Sequence, residues 1–217
     1  MNFAEYNVKD ANLEEILLAL KSLDTVEAVA LGGSRSTGAS DENSDYDIYV
    51  YCAEIPTAET RENLLGKYCS IAEFGNHYWE SEDNTVMNNG IPVDIIYREV
   101  DRFGRYIDTV IKGGKAFNGY TTAFWHNIKN SKVLFDKTGS FTKFRDMAQI
   151  DFPENLRSAI IKNNRNLLNG KLPSYDRQIK KAQERGDIVS VNHRITAFLE
   201  SYFDVIFALN RQTHPGE

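Results

Sequence analysis

The residues of this sequence that could do chemistry by type and spacing are a glycine-rich turn and three aspartates. Leu31-Gly32-Gly33-Ser34-Arg35-Ser36-Thr37-Gly38 closes an apolar run, Asp45-Tyr46-Asp47 follows, and Asp94 comes much later between Val93 and Ile95. A glycine pair at the end of a strand lets the backbone approach a ligand closely, and the exposed N–H groups of a helix start can hold phosphate oxygens. Ser34 adds a hydroxyl donor to that cradle, and Arg35 reads equally well as a phosphate contact or as a solvated side chain. Side chains alternate along a strand, so Asp45 and Asp47 face the same way with Cα atoms about 6.5–7 Å apart. Hard magnesium ions take oxygen ligands. In two-metal sites they lie about 3.5–4 Å apart and stabilise the attacking and leaving oxygens of an in-line displacement. Asp94 would complete the set from a neighbouring strand.

Each part has a bland reading by itself, since a glycine pair is usually a turn and paired strand aspartates are usually a solvated face. Their conjunction, with Asp94 set between apolar neighbours, is what points to a phosphate and metal site. A P-loop fits less well. Gly33 and Gly38 have its glycine spacing, but Ala39 and Ser40 stand where Lys and Ser/Thr are required. No G-x-G-x-x-G follows a strand, which excludes a dinucleotide fingerprint.

The elements that must position these residues follow from periodicity. Leu13, Ile16, Leu17 and Leu20 predict an amphipathic helix over 10–22. Val26 to Gly33 predicts a buried strand ending in glycines, and Asp45 to Tyr51 a second strand. A helix follows Pro56. Two short β-prone runs flank Asn89-Gly90, a dipeptide suited to a tight hairpin, which makes Ile91 to Tyr97 a third strand carrying Asp94. Residues 99–112 and 119–129 read as helices, with Lys132 to Phe135 a short edge strand. Beyond about residue 150 only helices are expected, over 155–168, 175–185 and 188–211. In the last, Ile188, Val191, Ile195, Phe198, Tyr202, Val205 and Leu209 form a stripe that should pack on the two preceding helices. The chain thus divides into an α/β part, residues 1–150, and a helical part, residues 151–217.

Other polar and aromatic residues carry weaker signals. Lys180 and Lys181 lie on a polar helix face, and Asn192, His193 and Arg194 sit beside the apolar stripe. Tyr78, Trp79 and Trp125 could stack on a base but read first as core residues.

Composition sets outer bounds. The chain has 217 residues, 41% hydrophobic and 26% charged, ordinary usage for a globular protein able to bury a core without staples. A net charge of −6 argues against a long nucleic-acid partner and suits a small acceptor. No apolar stretch approaches the roughly 20 residues that span a bilayer, and no basic start precedes an apolar run, so the protein reads as cytoplasmic. Cys52 and Cys69 lack ligand spacing and read as reduced thiols.

Gly33-Ser34, a ten-residue spacer and Asp45-Tyr46-Asp47-Ile48, with Asp94 as a later strand acid, resemble the polymerase-beta nucleotidyltransferase signature. The closer likeness is to bacterial small-molecule enzymes of the aminoglycoside and lincosamide type. The resemblance implies an α+β fold, a polymerase-beta-like core with a mixed sheet followed by a C-terminal helical bundle. The nucleoside triphosphate and metal would lie in the cleft between the two. It further implies that Gly32, Gly33, Ser34 and Arg35 bind nucleotide. Asp45, Asp47 and Asp94 would hold magnesium, as a pair of ions by family analogy, with Asp94 a metal ligand, the general base, or both. The expected reaction moves AMP from ATP to a hydroxyl of a small acceptor and releases pyrophosphate. A protein-AMPylating enzyme and a non-catalytic nucleotide-binding module are the alternatives.

Overall fold

The computed structural model describes residues 10–38, 41, 44–170 and 172–216. Ala39 and Ser40, weighed above against a P-loop, lie outside them, as does most of the amino-terminal stretch. The described residues group into two compact units. One comprises residues up to Gly104 together with Ile128–Met147, and the other Arg105–Asn127 together with the residues from Ala148 onward.

The first unit is built on a mixed sheet of six strands: β1 (Val26–Leu31), β2 (Tyr46–Cys52), β3 (Cys69–Asn76), β4 (Ser81–Met87), β5 (Pro92–Glu99) and β6 (Lys132–Asp136). Their order is β3-β4-β5-β2-β1-β6. Only β2 and β5 run parallel; every other neighbouring pair is antiparallel. This pairing decides the site, because it lays the second and third predicted strands side by side.

The two faces of the sheet separate by residue parity. Tyr46, Ile48 and Val50 of β2, with Val93, Ile95 and Tyr97 of β5, enter one apolar core with Leu13, Ile16 and Leu20 of α1 (Ala11–Ser22) and Leu65 of α3 (Ala58–Leu65). Asp10 caps α1 by accepting from the N–H groups of Asn12 and Leu13 at 2.9 and 3.3 Å, which fixes where that helix begins. On the opposite face Tyr51 packs against Phe103, Phe141 and Phe144, with ring centroids 5.1–5.8 Å apart. Those rings come from α4 (Val100–Ile111) and α6 (Ser140–Ala148). The aromatic cover sits beyond Tyr49, while Asp47 and Asp94 lie at the start of their strands on the same face.

The sheet is larger than the sequence suggests, since β3 was not foreseen; nor was the helix α6. Residues 70–73 of β3 are all exposed, so the strand lacks the alternation that marks a half-buried one.

In the second unit α7 (Glu154–Arg165) runs into a wider helical turn at Asn166–Gly170, followed by α8 (Tyr175–Glu184) and α9 (Ile188–Leu209). The three helices match the expected ones, but α9 is turned differently from its predicted stripe. Its buried residues are Ser201, Asp204 and Ala208, whereas Ile188, Ile195, Tyr202 and Leu209 are exposed. Small and polar residues face inward because a neighbouring backbone comes very close: a Cβ on Gly119 would lie 2.8 Å from Cβ of Glu200.

The contact is held by Asp204, which is 1% exposed. Its carboxylate accepts from the Thr121 N–H at 3.1 Å, the Thr121 hydroxyl at 2.7 Å and the Asn164 amide at 3.0 Å. Trp125, on α5 (Ala123–Asn130), belongs to this unit's core, its indole N–H donating to the Ala148 carbonyl at 2.9 Å.

Candidate metal and nucleotide site

The three aspartates converge. One carboxylate oxygen from each of Asp45, Asp47 and Asp94 can be chosen so that all lie within 4.8 Å of one another. Strand register explains why. Asp47 is paired directly with Asp94 across the parallel β2–β5 ladder, and Asp45, just ahead of β2, shares the parity of Asp47. Asp45 is exposed and the other two are partly buried, so the cluster opens outward through Asp45.

The cluster is electrostatically unfinished. Burial, followed by the charges of Asp45 and Asp94, pushes the Asp47 carboxyl up to about 6. Arg98 belongs to the same face of β5, but its charge is already taken. It is paired with Glu80 at 2.6 Å and lies over the ring of Tyr49, 4.3 Å from its centroid. Partly buried carboxylates that repel one another are stabilised by a bound cation. An acceptor-only set of hard oxygens at this separation fits a divalent ion of the magnesium type.

The glycine turn is built against these acids. The Gly32 N–H donates to the Asp47 carbonyl at 2.8 Å, tying the turn to β2. A short helix, α2 (Gly33–Thr37), starts at Gly33 with φ +59. A Cβ at Gly33 would fall 1.7 Å from Oδ2 of Asp47. Glycine is therefore required on two grounds: the left-handed backbone, and the space that the carboxylate already fills. The buried Ser36 hydroxyl closes the turn on the Gly33 carbonyl at 2.8 Å. Ser34 stands second in α2, next to the glycine that abuts Asp47.

Arg35 has a use that the sequence did not suggest. Its Nε donates to the carbonyls of Ser44 and Asp45, each at 2.9 Å, Nη2 also donates to Ser44, and the guanidinium lies 4.1 Å from the centroid of the Tyr46 ring. It clamps the backbone from which Asp45 projects.

Sequence reasoning missed two further residues. Asn84 of β4 is paired with Asp94 and donates its amide to Asp94 Oδ1 at 2.9 Å. Asn76 in turn donates to the Asn84 carbonyl oxygen at 2.8 Å. The signal was present in the hairpin: counting outward from Asn89-Gly90 sets residue 84 opposite residue 94.

The remaining candidates stand on other elements. Tyr78 and Trp79 are exposed on the turn between β3 and β4, Trp79 at 87%, and Trp125 is buried. Lys180, Lys181, Asn192 and His193 are exposed on α8 and α9.

Comparison with known families agrees with the geometry. Residues 13–117 match the family model described as a nucleotidyltransferase domain. Residues 122–217 match one described as a domain of unknown function, DUF4037. No curated protein matches the chain. Among solved structures, a nucleotidyltransferase-like protein from Exiguobacterium sibiricum 255-15 aligns over 92% of this chain and 57% of its own, with 10% identity and a TM-score of 0.44. A toxin–antitoxin structure with AMP-PNP aligns over 62% of this chain and 82% of its own, at 18% identity and a TM-score of 0.36. A CCA-adding enzyme in complex with CTP aligns over 94% and 54%, at 15% and 0.35. The chain thus spans little more than half the length of the first and third of these. The three acids all fall within the residues that match the nucleotidyltransferase-domain model.

Proposed function

We propose that this chain, whose residues 13–117 match the nucleotidyltransferase-domain model, transfers AMP from ATP to a hydroxyl group of a small-molecule acceptor. The observation that carries this reading is the convergence of Asp45, Asp47 and Asp94 within 4.8 Å beside a turn that only glycine can occupy.

The residues divide the work by position. The N–H groups of Gly33 and Ser34 and the Ser34 hydroxyl hold phosphate oxygens, while the Gly32 N–H, predicted to join them, is spent on the Asp47 carbonyl. Arg35 acts indirectly, by fixing the backbone at Ser44 and Asp45. Asp45, Asp47 and Asp94 would hold magnesium, which when bound neutralises the triphosphate and the charge that develops on the attacking and leaving oxygens. Asp94 also takes the proton of the acceptor hydroxyl. The new bond forms between that oxygen and the α-phosphorus as the bond to the β-phosphate oxygen breaks, and pyrophosphate carries away the leaving charge. Net charge supports a small acceptor over a nucleic-acid strand.

The test is incubation with labelled ATP, magnesium and a panel of hydroxylated small molecules, following pyrophosphate and the labelled product. Transfer yields both in equal amounts. ATP binding without pyrophosphate release across the panel would reduce the site to a nucleotide-binding module.

A further inference from the structure

We infer that Asn84 is a positioning residue that sets the orientation of the Asp94 carboxylate, and that Asn76 fixes the direction in which Asn84 acts. The inference rests on the metal-site reading above.

The register places Glu73, Asn84, Asp94 and Asp47 in one row across β3, β4, β5 and β2. Across that row the amides donate outward from Asn76, to a carboxylate at each end. Asn76 donates one amide bond to Oε2 of Glu73 at 3.2 Å and another to Oδ1 of Asn84 at 2.8 Å. With its carbonyl oxygen so engaged, Asn84 must present its NH2 group to Asp94, and it does so at 2.9 Å. The reverse orientation would set a carbonyl oxygen against a carboxylate, with no hydrogen between them. The relay therefore holds Asp94 in one rotation relative to Asp47 and Asp45. Outer partners of ligating carboxylates act in this way, and their loss typically lowers metal affinity 10–100-fold. A polar sheet surface with no such role has no need of a directed amide chain anchored at both ends on carboxylates.

The experiment uses the full chain and Mn2+ alone as the probe, with free ion counted by electron paramagnetic resonance. Asn84→Ala is expected to weaken Mn2+ binding about tenfold, and Asn76→Ala by a smaller factor. The double variant should be no worse than Asn84→Ala, because both act through one amide. Asn84→Thr, which suits a strand but offers no amide, repeats the test should the alanine variant fold poorly. Additive effects in the double variant, or wild-type Mn2+ affinity in both Asn84 variants while Asp94→Asn loses it, would overturn this inference and leave the metal site standing. Unchanged Mn2+ binding in Asp94→Asn would instead overturn the metal site itself.

Discussion

Two aspartates in different units of this chain share one electrostatic symptom and have opposite surroundings. Asp47 and Asp204 are both pushed up to about 6, and in both burial is the first cause. Around Asp204 the other influences all oppose the shift, namely hydrogen bonds from Thr121 and Asn164. Around Asp47 they all add to it, as the charges of Asp45 and Asp94. One carboxylate is a satisfied structural acceptor, and the other, among the described residues, is shifted only by like charges and burial. A raised carboxyl is thus a pointer to function only when its neighbours make the shift worse.

The comparison breaks most sharply by substitution. Asp47→Asn and Asp45→Asn should each lower pyrophosphate release by orders of magnitude while the fold persists, because an amide offers one neutral oxygen where a cation requires charge. Turnover assays and circular dichroism check the two halves of that statement. Asp204→Ala should do the reverse. It removes the acceptor of the buried Thr121 N–H and the shortest bond of the Thr121 hydroxyl, and leaves the Asn164 amide only the Phe117 and Ile160 carbonyls, for a loss of about 2 kcal/mol in urea unfolding. Mn2+ binding at the acid cluster should be unaffected.

Proton linkage separates the two aspartates more finely. A carboxyl raised from 3.8 to about 6 contributes stability that is full below 3.8 and is lost as pH rises through about 6. Each group should therefore withdraw on the order of 2 kcal/mol between pH 4 and pH 6.5 in metal-free protein. Saturating magnesium should remove the contribution of Asp47, since a bound cation favours the charged form, and leave that of Asp204. Unfolding curves across this range, with and without the ion, read the difference directly.

The turn contrasts two neighbouring residues. Gly33→Ala meets both a left-handed backbone, a penalty of about 1–2 kcal/mol, and the Asp47 carboxylate. Ser34→Ala loses a single hydrogen bond, about 1 kcal/mol. Calorimetry with a non-hydrolysable ATP analogue should rank glycine above serine. Equal effects would mean that the turn acts only as a phosphate cradle and not as the wall behind Asp47.

Much of this was legible in sequence because strand parity and one hairpin dipeptide are strong local signals. Asp45 and Asp47 could be set on one face by counting, and Asn89-Gly90 delivered Asp94 on the next strand. The parallel pairing of β2 with β5, which sets Asp47 opposite Asp94, joins segments with two other strands between them in the chain, and no local pattern encodes it. The sequence left Arg35 open between phosphate and solvent, and its bonds to the carbonyls of Ser44 and Asp45 had no signal there because backbone acceptors nine and ten residues away carry no residue type. The stripe on α9 misled in a different way. Its apolar residues are periodic, but the close approach at Gly119 selects the face of Ser201, Asp204 and Ala208, where small side chains and one acceptor fit.

The direct opposition of Asp47 and Asp94 also bears on how faithfully the sheet assembles. Because side chains alternate, pairing β5 one residue out of step with β2 would turn Asp94 into the apolar layer of Ile48 and Val50 and bring Val93 and Ile95 out to water. An unpaired carboxylate in that layer costs several kcal/mol. The residues that would hold the metal therefore also penalise the nearest misfolded register, so a chain that has paired its strands correctly has, in the same step, assembled its acid cluster.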